Sequence, residues 1–257
     1  MATARGFGVD IGGSGIKGCP VDIDGGVLAE ERMRIPTPQP STPSAVADAV
    51  AEIVEKFSWT GPVGITLPCV IKDGTALTAA NVDKGWIGTD AQELFAERLG
   101  RTRDDVLVLN DADAAGIAEM RTGAGAGHRG LVVVLTFGTG IGSAMFIDGE
   151  LVPNTEFGHI EVDGHDAEKQ AAASVKDDLE LTYEEWAPRV SNYIQALEKF
   201  LWPDLIIAGG GVSKKGHKWI PRLESRTPVV AAALRNDAGI VGAATAAATA
   251  AATRHNA

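Results

Sequence analysis

The sequence has 257 residues, a formal net charge of −11 at pH 7 and two cysteines, Cys19 and Cys69. This length allows one large domain or two small ones, and 45% apolar with 22% charged residues is ordinary for a globular protein. The acidic excess argues against a nucleic-acid partner, and two cysteines cannot build a disulfide framework or a cysteine zinc site. The N-terminus has no apolar signal core and residues 239–252 are too short and weakly apolar to span a bilayer, so we expect a cytoplasmic protein without a membrane partner.

In the first half, residues 6–12 and 15–23 are typical of a β-hairpin around a glycine-rich turn, Asp10-Ile-Gly-Gly-Ser-Gly-Ile-Lys17. An acidic-glycine turn, Asp22-Ile-Asp-Gly25, ends this pattern. Helical spacing of apolar residues then predicts a helix over 45–57. Short apolar runs predict strands over 62–67 and 106–109, and an alanine-rich stretch predicts a helix over 112–122.

The second half repeats this order from Gly130. An apolar run over 131–137 predicts a buried strand, followed by the turn Thr136-Phe-Gly-Thr-Gly-Ile-Gly142, a second strand and Asp148-Gly149. A capping box over 182–185 predicts a helix, in which Pro188 should cause a kink or a later start. Strands over 205–208 and 229–234 and a C-terminal helix complete an α/β protein of two related lobes, 1–125 and 126–257, around a central cleft.

Both glycine turns have the chemistry of phosphate binding. Glycines let backbone N–H groups close on phosphate oxygens without a Cβ in the way, and Lys17 adds positive charge. Asp10, just before the first turn, could hold Mg²⁺ through water; the alternative is an ordinary tight hairpin that Asp10 caps. The turns contribute Gly12, Gly13, Ser14 and Gly15 from the first half and Gly138, Thr139 and Gly140 from the second.

Asp111 is the candidate catalytic residue. It follows a buried strand and opens a helix, where a carboxylate can accept the proton of an attacking hydroxyl. The alternative is that Asp111 serves only as the N-cap of that helix.

The segment Glu156-Phe-Gly-His159 suits the recognition of neighbouring sugar hydroxyls. A carboxylate accepts O–H bonds, and a neutral imidazole offers one donor and one acceptor. The alternatives are a polar surface loop or a metal site, although without cysteines the metal pattern is unspecific. The residues that resemble metal ligands are His159, Glu161, Asp163, His165 and Asp166.

Residues 213–226, here called the basic segment, reverse the acidic character of the chain. They carry five cations against the single acidic residue Glu224 and directly follow Gly209-Gly-Gly211. This pattern predicts a track for a long polyanion, and the alternative is a solvated charged face. The cations are Lys214, Lys215, Lys218, Arg222 and Arg226.

Together these motifs resemble the ROK family of sugar kinases and repressors, which has the actin–hexokinase (ribonuclease H-like) fold. The resemblance rests on the order and spacing of the two glycine turns, Asn110-Asp111-Ala-Asp-Ala-Ala115 and Glu156-Phe-Gly-His159. It implies that Asp111 is the base and that Gly210 and Gly211 lie in the nucleotide-binding turn. It also implies sugar contacts from Asn81, Lys84, Trp86, Asn110, Glu156, His159 and Glu168.

One departure from the family pattern narrows the prediction. Family members usually carry a cysteine-rich zinc motif after the histidine, but Gly164-His-Asp-Ala-Glu168 has no cysteine, so no zinc is implied. This resembles the branch that transfers phosphate from inorganic polyphosphate to the 6-hydroxyl of glucose with Mg²⁺, as a homodimer. No helix-turn-helix precedes Gly6, so we expect a kinase rather than a repressor. The alternatives are an ATP-dependent glucokinase or glucomannokinase of this fold and, from another class, a non-catalytic sugar sensor.

Overall fold

The computed structural model describes residues 4–80 and 82–255, which divide into two compact units. The first unit takes the chain up to Ala118 and again from Asp237, and the second is Glu119–Asn236. The strands are β1 Arg5–Gly12, β2 Gly15–Asp22, β3 Val27–Leu28, β4 Met33–Ile35, β5 Val63–Leu67, β6 Ile71–Lys72, β7 Thr75–Ala76, β8 Val106–Asn110, β9 Leu131–Phe137, β10 Ile141–Ile147, β11 Glu150–Val152, β12 Glu161–Val162, β13 His165–Asp166, β14 Leu205–Gly209 and β15 Val229–Ala231. The helices are α1 Pro43–Lys56, α2 Ala91–Leu99, α3 Asp111–Thr122, α4 Glu168–Ala171, α5 Ala173–Asp178, α6 Tyr183–Leu201, α7 Gly216–Trp219 and α8 Ala238–His255.

The main sheets of the two units have the same strand order and directions. In the first unit the order is β3-β2-β1-β5-β8, with β4 also paired to β2, and in the second it is β11-β10-β9-β14-β15. Each sheet has an antiparallel hairpin, β1-β2 or β9-β10, whose first strand pairs in parallel with the next long strand. The repeat that the two glycine turns predict is therefore present in the whole sheet, and each turn lies at the tip of its hairpin.

Helix α8 packs directly on the backbone of the first sheet. A Cβ at Gly8 of β1 would overlap the carbonyl of Ile240, and a Cβ at Gly64 of β5 would overlap the carbonyl of Ala243. These glycines let the alanine-rich helix approach the strands closely, which explains why two residues without a side chain fall in buried strands. Thus the last helix belongs to the first unit, whereas the sequence placed residues 126–257 in one lobe.

Helix α6 shows where the apolar pattern of its sequence is used. The Thr182 hydroxyl accepts the Glu185 N–H and the Glu185 carboxylate accepts the Thr182 N–H, so the predicted capping box is present. The helix starts at Tyr183 and not later, with Pro188 inside it, and the N–H that proline lacks would have paired with the carbonyl of the exposed Glu184. Its apolar side lies in the core of the second unit and includes Trp186, Val190, Tyr193, Ile194 and Leu197.

Two further properties concern the chain as a whole. Cys19 and Cys69 are buried, and burial, with the charge of Asp237 adding to it, raises the pKa of Cys19 to about 12. None of the helices in the described ranges combines the length and apolar character needed to cross a membrane.

Candidate active site

The first glycine turn joins β1 to β2 through the two-residue loop Gly13-Ser14. Asp10 stands opposite Lys17 in the hairpin, and the Lys17 Nζ lies 3.5 Å from Asp10 Oδ2. Asp10 Oδ1 accepts a hydrogen bond from the Thr66 hydroxyl at 3.1 Å. The partners of Asp10 in the described chain are therefore side chains of both neighbouring strands, and Asp10 offsets much of the Lys17 charge.

Asn110 and Asp111, two adjacent polar residues at the start of α3, make different contacts. Asn110 Oδ1 accepts the N–H groups of Ala112 and Asp113 at 2.8 and 3.1 Å, which is the role of a helix N-cap. The buried Asn110 also donates from Nδ2 to the Cys69 carbonyl at 3.1 Å. Asp111 is half-buried, and one of its oxygens accepts the Ala112 N–H at 2.9 Å. The capping role considered for Asp111 thus belongs mainly to Asn110.

Glu156 and His159 flank a helical turn that follows β11. His159 Nδ1 lies 3.2 Å from Asp166 Oδ2, and His159 Nε2 lies 4.0 Å from Glu156 Oε2. The side chains of Glu156 and His159 remain 42% and 49% exposed, so both have surface left for a ligand. Asp166 therefore orients the imidazole while Glu156 stays accessible.

The charges around His159 shift the pKa of both residues. Loss of hydration raises the pKa of Glu156, and the charge of Glu168 adds to the shift while that of His159 opposes it. Desolvation lowers the pKa of His159, but the bond to Asp166 and the charges of Glu168, Asp166 and Glu156 outweigh it, so the net shift is upward. These carboxylates therefore stabilise the protonated imidazole of His159 more than water stabilises that of a free histidine.

Glu168, at the start of α4, joins two predicted motifs within the second unit. Its Oε2 accepts the Ile141 N–H at 3.1 Å, and a Cβ at Gly140 would overlap this oxygen. Its Oε1 lies 3.9 Å from His159 Nδ1. One carboxylate thus contacts both the second glycine turn and the predicted sugar-binding histidine.

The second glycine turn joins β9 to β10 through Gly138, Thr139 and Gly140. Ser174 donates its N–H to the Gly138 carbonyl at 3.0 Å and its hydroxyl to the Thr139 carbonyl at 2.7 Å. Apart from chain neighbours, no described atom lies within 4 Å of a Cβ built on Gly138, and the same holds for Gly211. At both positions the backbone is open to the approach of a ligand.

The basic segment presents its lysines on two short helical turns that the buried Trp219 anchors. The indole Nε1 of Trp219 donates to the Val212 carbonyl at 3.4 Å, and the Ser213 hydroxyl donates to the Gly210 carbonyl at 2.8 Å. The exposed lysines are Lys214, Lys215 and Lys218.

The two arginines of the basic segment have structural contacts. The Arg226 guanidinium stacks 3.6 Å from the centre of the Trp202 ring and donates to the Glu198 carbonyl. Arg222 donates to the Lys218 carbonyl at 2.6 Å. The three lysines therefore remain the best candidates of this segment for a polyanion, and Arg226 braces the end of α6.

The residues of the sugar-contacting loop that the family resemblance implies lie in different environments. Lys84 is exposed, whereas Trp86 is fully buried and donates from its indole to the Ser41 carbonyl at 3.0 Å. Trp86 also lies 5.9 Å from Phe95, ring centre to ring centre, so it belongs to the core. Asn81 lies outside the described residues.

Two of the possible metal ligands, His159 and Asp166, meet in the second unit, together with Glu168. His159, Asp166 and Glu168 each offer an atom within 4.8 Å of the others. One imidazole and two carboxylates differ from the four-ligand Cys/His set of a structural zinc site. The expectation that the chain binds no zinc remains a prediction.

Comparison with known proteins gives consistent matches over most of the chain. A model described as the ROK family matches residues 6–175. The chain is 58% identical over 240 residues to the polyphosphate glucokinase of Mycobacterium tuberculosis, covering 93% of this chain and 90% of that protein.

Two solved structures extend this likeness. The inorganic polyphosphate/ATP-glucomannokinase from Arthrobacter sp. strain KM matches with a TM-score of 0.90 and 50% identity, over 98% of this chain and 100% of the other. A ROK family glucokinase from Streptomyces griseus, solved with glucose and AMPPNP, matches with a TM-score of 0.77 and 27% identity, over 94% and 98%. The fold is therefore the actin–hexokinase fold of sugar kinases. Within that class, the chain belongs to the ROK family.

Proposed function

We propose that this protein is a polyphosphate-dependent glucokinase. It transfers the terminal phosphoryl group of inorganic polyphosphate to the 6-hydroxyl of glucose and releases glucose 6-phosphate. The observation that carries the proposal is the 58% identity to the Mycobacterium tuberculosis polyphosphate glucokinase over 93% of the chain. It is supported by the start of α3, where Asn110 caps the helix and Asp111 follows it. It is also supported by the exposed side chains of Glu156 and His159.

The chemistry requires a base, an orienting sugar site and stabilisation of the moving phosphoryl charge. Asp111 takes the proton of the sugar 6-hydroxyl as that oxygen attacks phosphorus, and the bond to the leaving phosphate oxygen breaks. Glu156, His159 and Glu168 hold sugar hydroxyls. Asn110 caps α3 with its oxygen and donates one N–H to Cys69, and its second amide N–H is the group that we propose contacts the sugar.

Backbone N–H groups of the two glycine turns receive the phosphate oxygens. The turns lie at the tips of equivalent hairpins, as the shared strand order supports. Asn81 and Lys84 complete the proposed sugar contacts.

The donor chemistry also calls for a divalent cation, and Asp10 fits this need. It is a single hard carboxylate beside the first turn, fixed by Thr66 and Lys17, and Mg²⁺ binds mainly through phosphates, waters and one or two carboxylates. When bound, Mg²⁺ neutralises charge on the phosphate oxygens. Because Lys17 already lies beside the Asp10 carboxylate, contact through water is the form we propose.

ATP is the second candidate donor, and mannose is a second candidate acceptor. The 50% identical Arthrobacter protein is named for both donors and as a glucomannokinase, and the open backbone at Gly211 leaves room for a ligand at the nucleotide-binding turn. A non-catalytic sugar sensor is disfavoured, because Asp111 and both glycine turns are intact.

The deciding experiment measures glucose 6-phosphate formed from glucose and Mg²⁺ with polyphosphate and ATP in parallel, each donor freed of the other. We expect turnover with polyphosphate to be the higher. Turnover mainly with ATP would replace the donor in this proposal, and no turnover with either donor would support the sensor.

We also propose a cytoplasmic homodimer, as the family resemblance implies. The apolar side of α6 is used in the core of the second unit. The interface must therefore use other surface, and light scattering on the purified chain measures the mass directly.

A further inference from the structure

Arg34 lies over the first glycine turn, outside every motif that the sequence suggests. It stands on β4 opposite Lys17 of β2 and is exposed. Its Nη2 donates to the Ser14 carbonyl at 2.8 Å. A Cβ at Gly15 would lie 2.7 to 2.8 Å from the guanidinium atoms, so the absent side chain of Gly15 makes room for the flat cation. The guanidinium is thus fixed against the turn backbone.

The charges around the turn leave Arg34 as an uncompensated cation. Register places Asp10, Lys17 and Arg34 side by side across three strands, and the Lys17 Nζ lies 3.5 Å from Asp10. Over residues 4–80 and 82–255, no carboxylate lies within the 4.0 Å of an ion pair from Arg34. Like charges directly opposite across strands repel, so an anion bound beside Arg34 would relieve an unfavourable pair.

The guanidinium also keeps free hydrogen-bonding capacity. Arg has five N–H donors in a planar fork that matches phosphate oxygens, and one donor is used on Ser14. We propose that Arg34 is a ligand of the phosphoryl donor, binding a phosphate at the first glycine turn in addition to the backbone. This inference rests on the proposed function for the identity of the donor, and it adds a residue and a charge to that site.

The test compares Arg34→Met, which removes the charge, with Arg34→Lys, which keeps the charge but loses the fork. Binding of tripolyphosphate is measured by calorimetry without any acceptor sugar, and the KM for polyphosphate and for glucose is measured by steady-state kinetics. Arg98→Met is the matched control, because Arg98 is an exposed arginine of the same unit that pairs with Asp48 on α1. Thermal unfolding of each variant shows whether the fold is intact.

We expect Arg34→Met to weaken tripolyphosphate binding about tenfold or more and to raise the KM for polyphosphate by a similar factor. The KM for glucose should stay within about twofold, Arg34→Lys should lose less affinity, and Arg98→Met should match the wild type.

Unchanged tripolyphosphate affinity in Arg34→Met would overturn the proposal. A lower melting temperature in Arg34→Met, with the KM of both substrates raised alike and no recovery in Arg34→Lys, would also overturn it and make Arg34 a brace of the turn. The wild-type protein could also fail to phosphorylate glucose while Arg34→Met loses tripolyphosphate binding. That result would support Arg34 as a phosphate ligand and would show that the proposed glucokinase function is wrong.

Discussion

Asn110 and Asp111 are adjacent polar residues that make different contacts at the start of α3. Either residue could cap a helix, and the sequence does not decide between them. The structure gives the cap to Asn110, whose oxygen accepts two backbone N–H groups while its amide donates to Cys69. Asp111 is thereby placed in the first helical turn, half-buried, where a carboxylate can meet a substrate hydroxyl.

Replacing Asp111 by Asn removes the proposed base while preserving the shape of the side chain. We expect kcat for glucose phosphorylation to fall about 10²- to 10⁴-fold, because an amide cannot accept the hydroxyl proton. Glucose affinity, measured by calorimetry, should change by less than about threefold, because the sugar contacts come mainly from other residues.

The control is Asp104→Asn, an exposed change in the same unit that should leave kcat unaltered. Turnover of Asp111→Asn close to that of the wild type would disprove the base assignment.

The raised pKa of Glu156 predicts that glucose binding weakens early on acidification. The carboxylate accepts sugar hydroxyls only while ionised, and a raised pKa means that it gains a proton at higher pH than an ordinary glutamate. We therefore expect the KM for glucose to rise on acidification at a higher pH than an ordinary glutamate would cause, by about tenfold for each pH unit below that pKa.

Glu156→Gln separates this titration from others. The variant should bind glucose weakly at neutral pH and lose the early rise of KM on acidification. If its KM followed the same pH curve as the wild type, another group would be responsible.

Several contacts of the candidate site had little or no signal in the sequence. Asp166 was visible only as one of several acidic residues after His159, and its bond to the imidazole depends on the β12-β13 pairing. Arg34 sits on a three-residue strand whose register no local pattern specifies. Such contacts depend on which short strands pair, and short strands carry too few residues for periodicity to be read.

At the scale of elements, the long strands and helices were predictable because each shows a clear apolar period. Both glycine-turn hairpins, α1, α3 and the capping box of α6 fall within one or two residues of the prediction. The last strand was predicted over 229–234 but ends at Ala231, because Ala233 and Leu234 donate their N–H groups to Glu119 instead of to a strand. The short strands β6, β7, β12 and β13 were missed for want of length.

The basic segment should affect one donor more than the other. Neutralising Lys214, Lys215 and Lys218 together to Gln should raise the KM for long polyphosphate at least about tenfold. The KM for ATP should rise much less, because a chain with many charges gains from each added cation. The two KM values are measured at the same ionic strength, since salt screens this attraction.

A triple change of equal charge provides the control for this experiment. Lys56, Arg129 and Lys199 are exposed cations outside the basic segment. Their replacement by Gln should leave both KM values within about twofold. Equal increases for polyphosphate and ATP in the lysine variant would identify the segment as a solvated charged face.

At the scale of the whole molecule, the chain passes between its two units twice, near Ala118 and near Asn236. The sequence shows a repeat and so favours a single boundary, near residue 125. The return of α8 was not predictable, because an alanine-rich helix shows no strongly amphipathic face that would name its partner. The glycines Gly8 on β1 and Gly64 on β5 identify the first sheet as the partner of α8, because they let the helix approach closely. They are informative only when the pairing of the strands is known.

Glu119 holds together the two chain segments that adjoin these crossings. Its buried carboxylate accepts the N–H groups of Ala124, Ala233 and Leu234 at 2.8, 3.0 and 2.8 Å. Glu119→Ala leaves three donors without this acceptor, and we expect the melting temperature to fall by about 5 to 10 °C. Differential scanning calorimetry measures this fall.

Glu119→Gln keeps one acceptor oxygen and should lose less stability than Glu119→Ala. The exposed Glu52→Ala on α1 serves as the control and should change the melting temperature by no more than about 2 °C. A melting temperature of Glu119→Ala equal to that of the control would show that water replaces the carboxylate at no cost.

The return of α8 to the first sheet fixes when that unit can fold during synthesis. β1 is synthesised long before α8, so the nascent chain carries a sheet with an uncovered apolar face until α8 has been made. The second unit is continuous in sequence between these two parts and needs neither of them to complete its own sheet. A released chain that ends at Asn236 should therefore contain a protease-resistant second unit and a protease-sensitive first one.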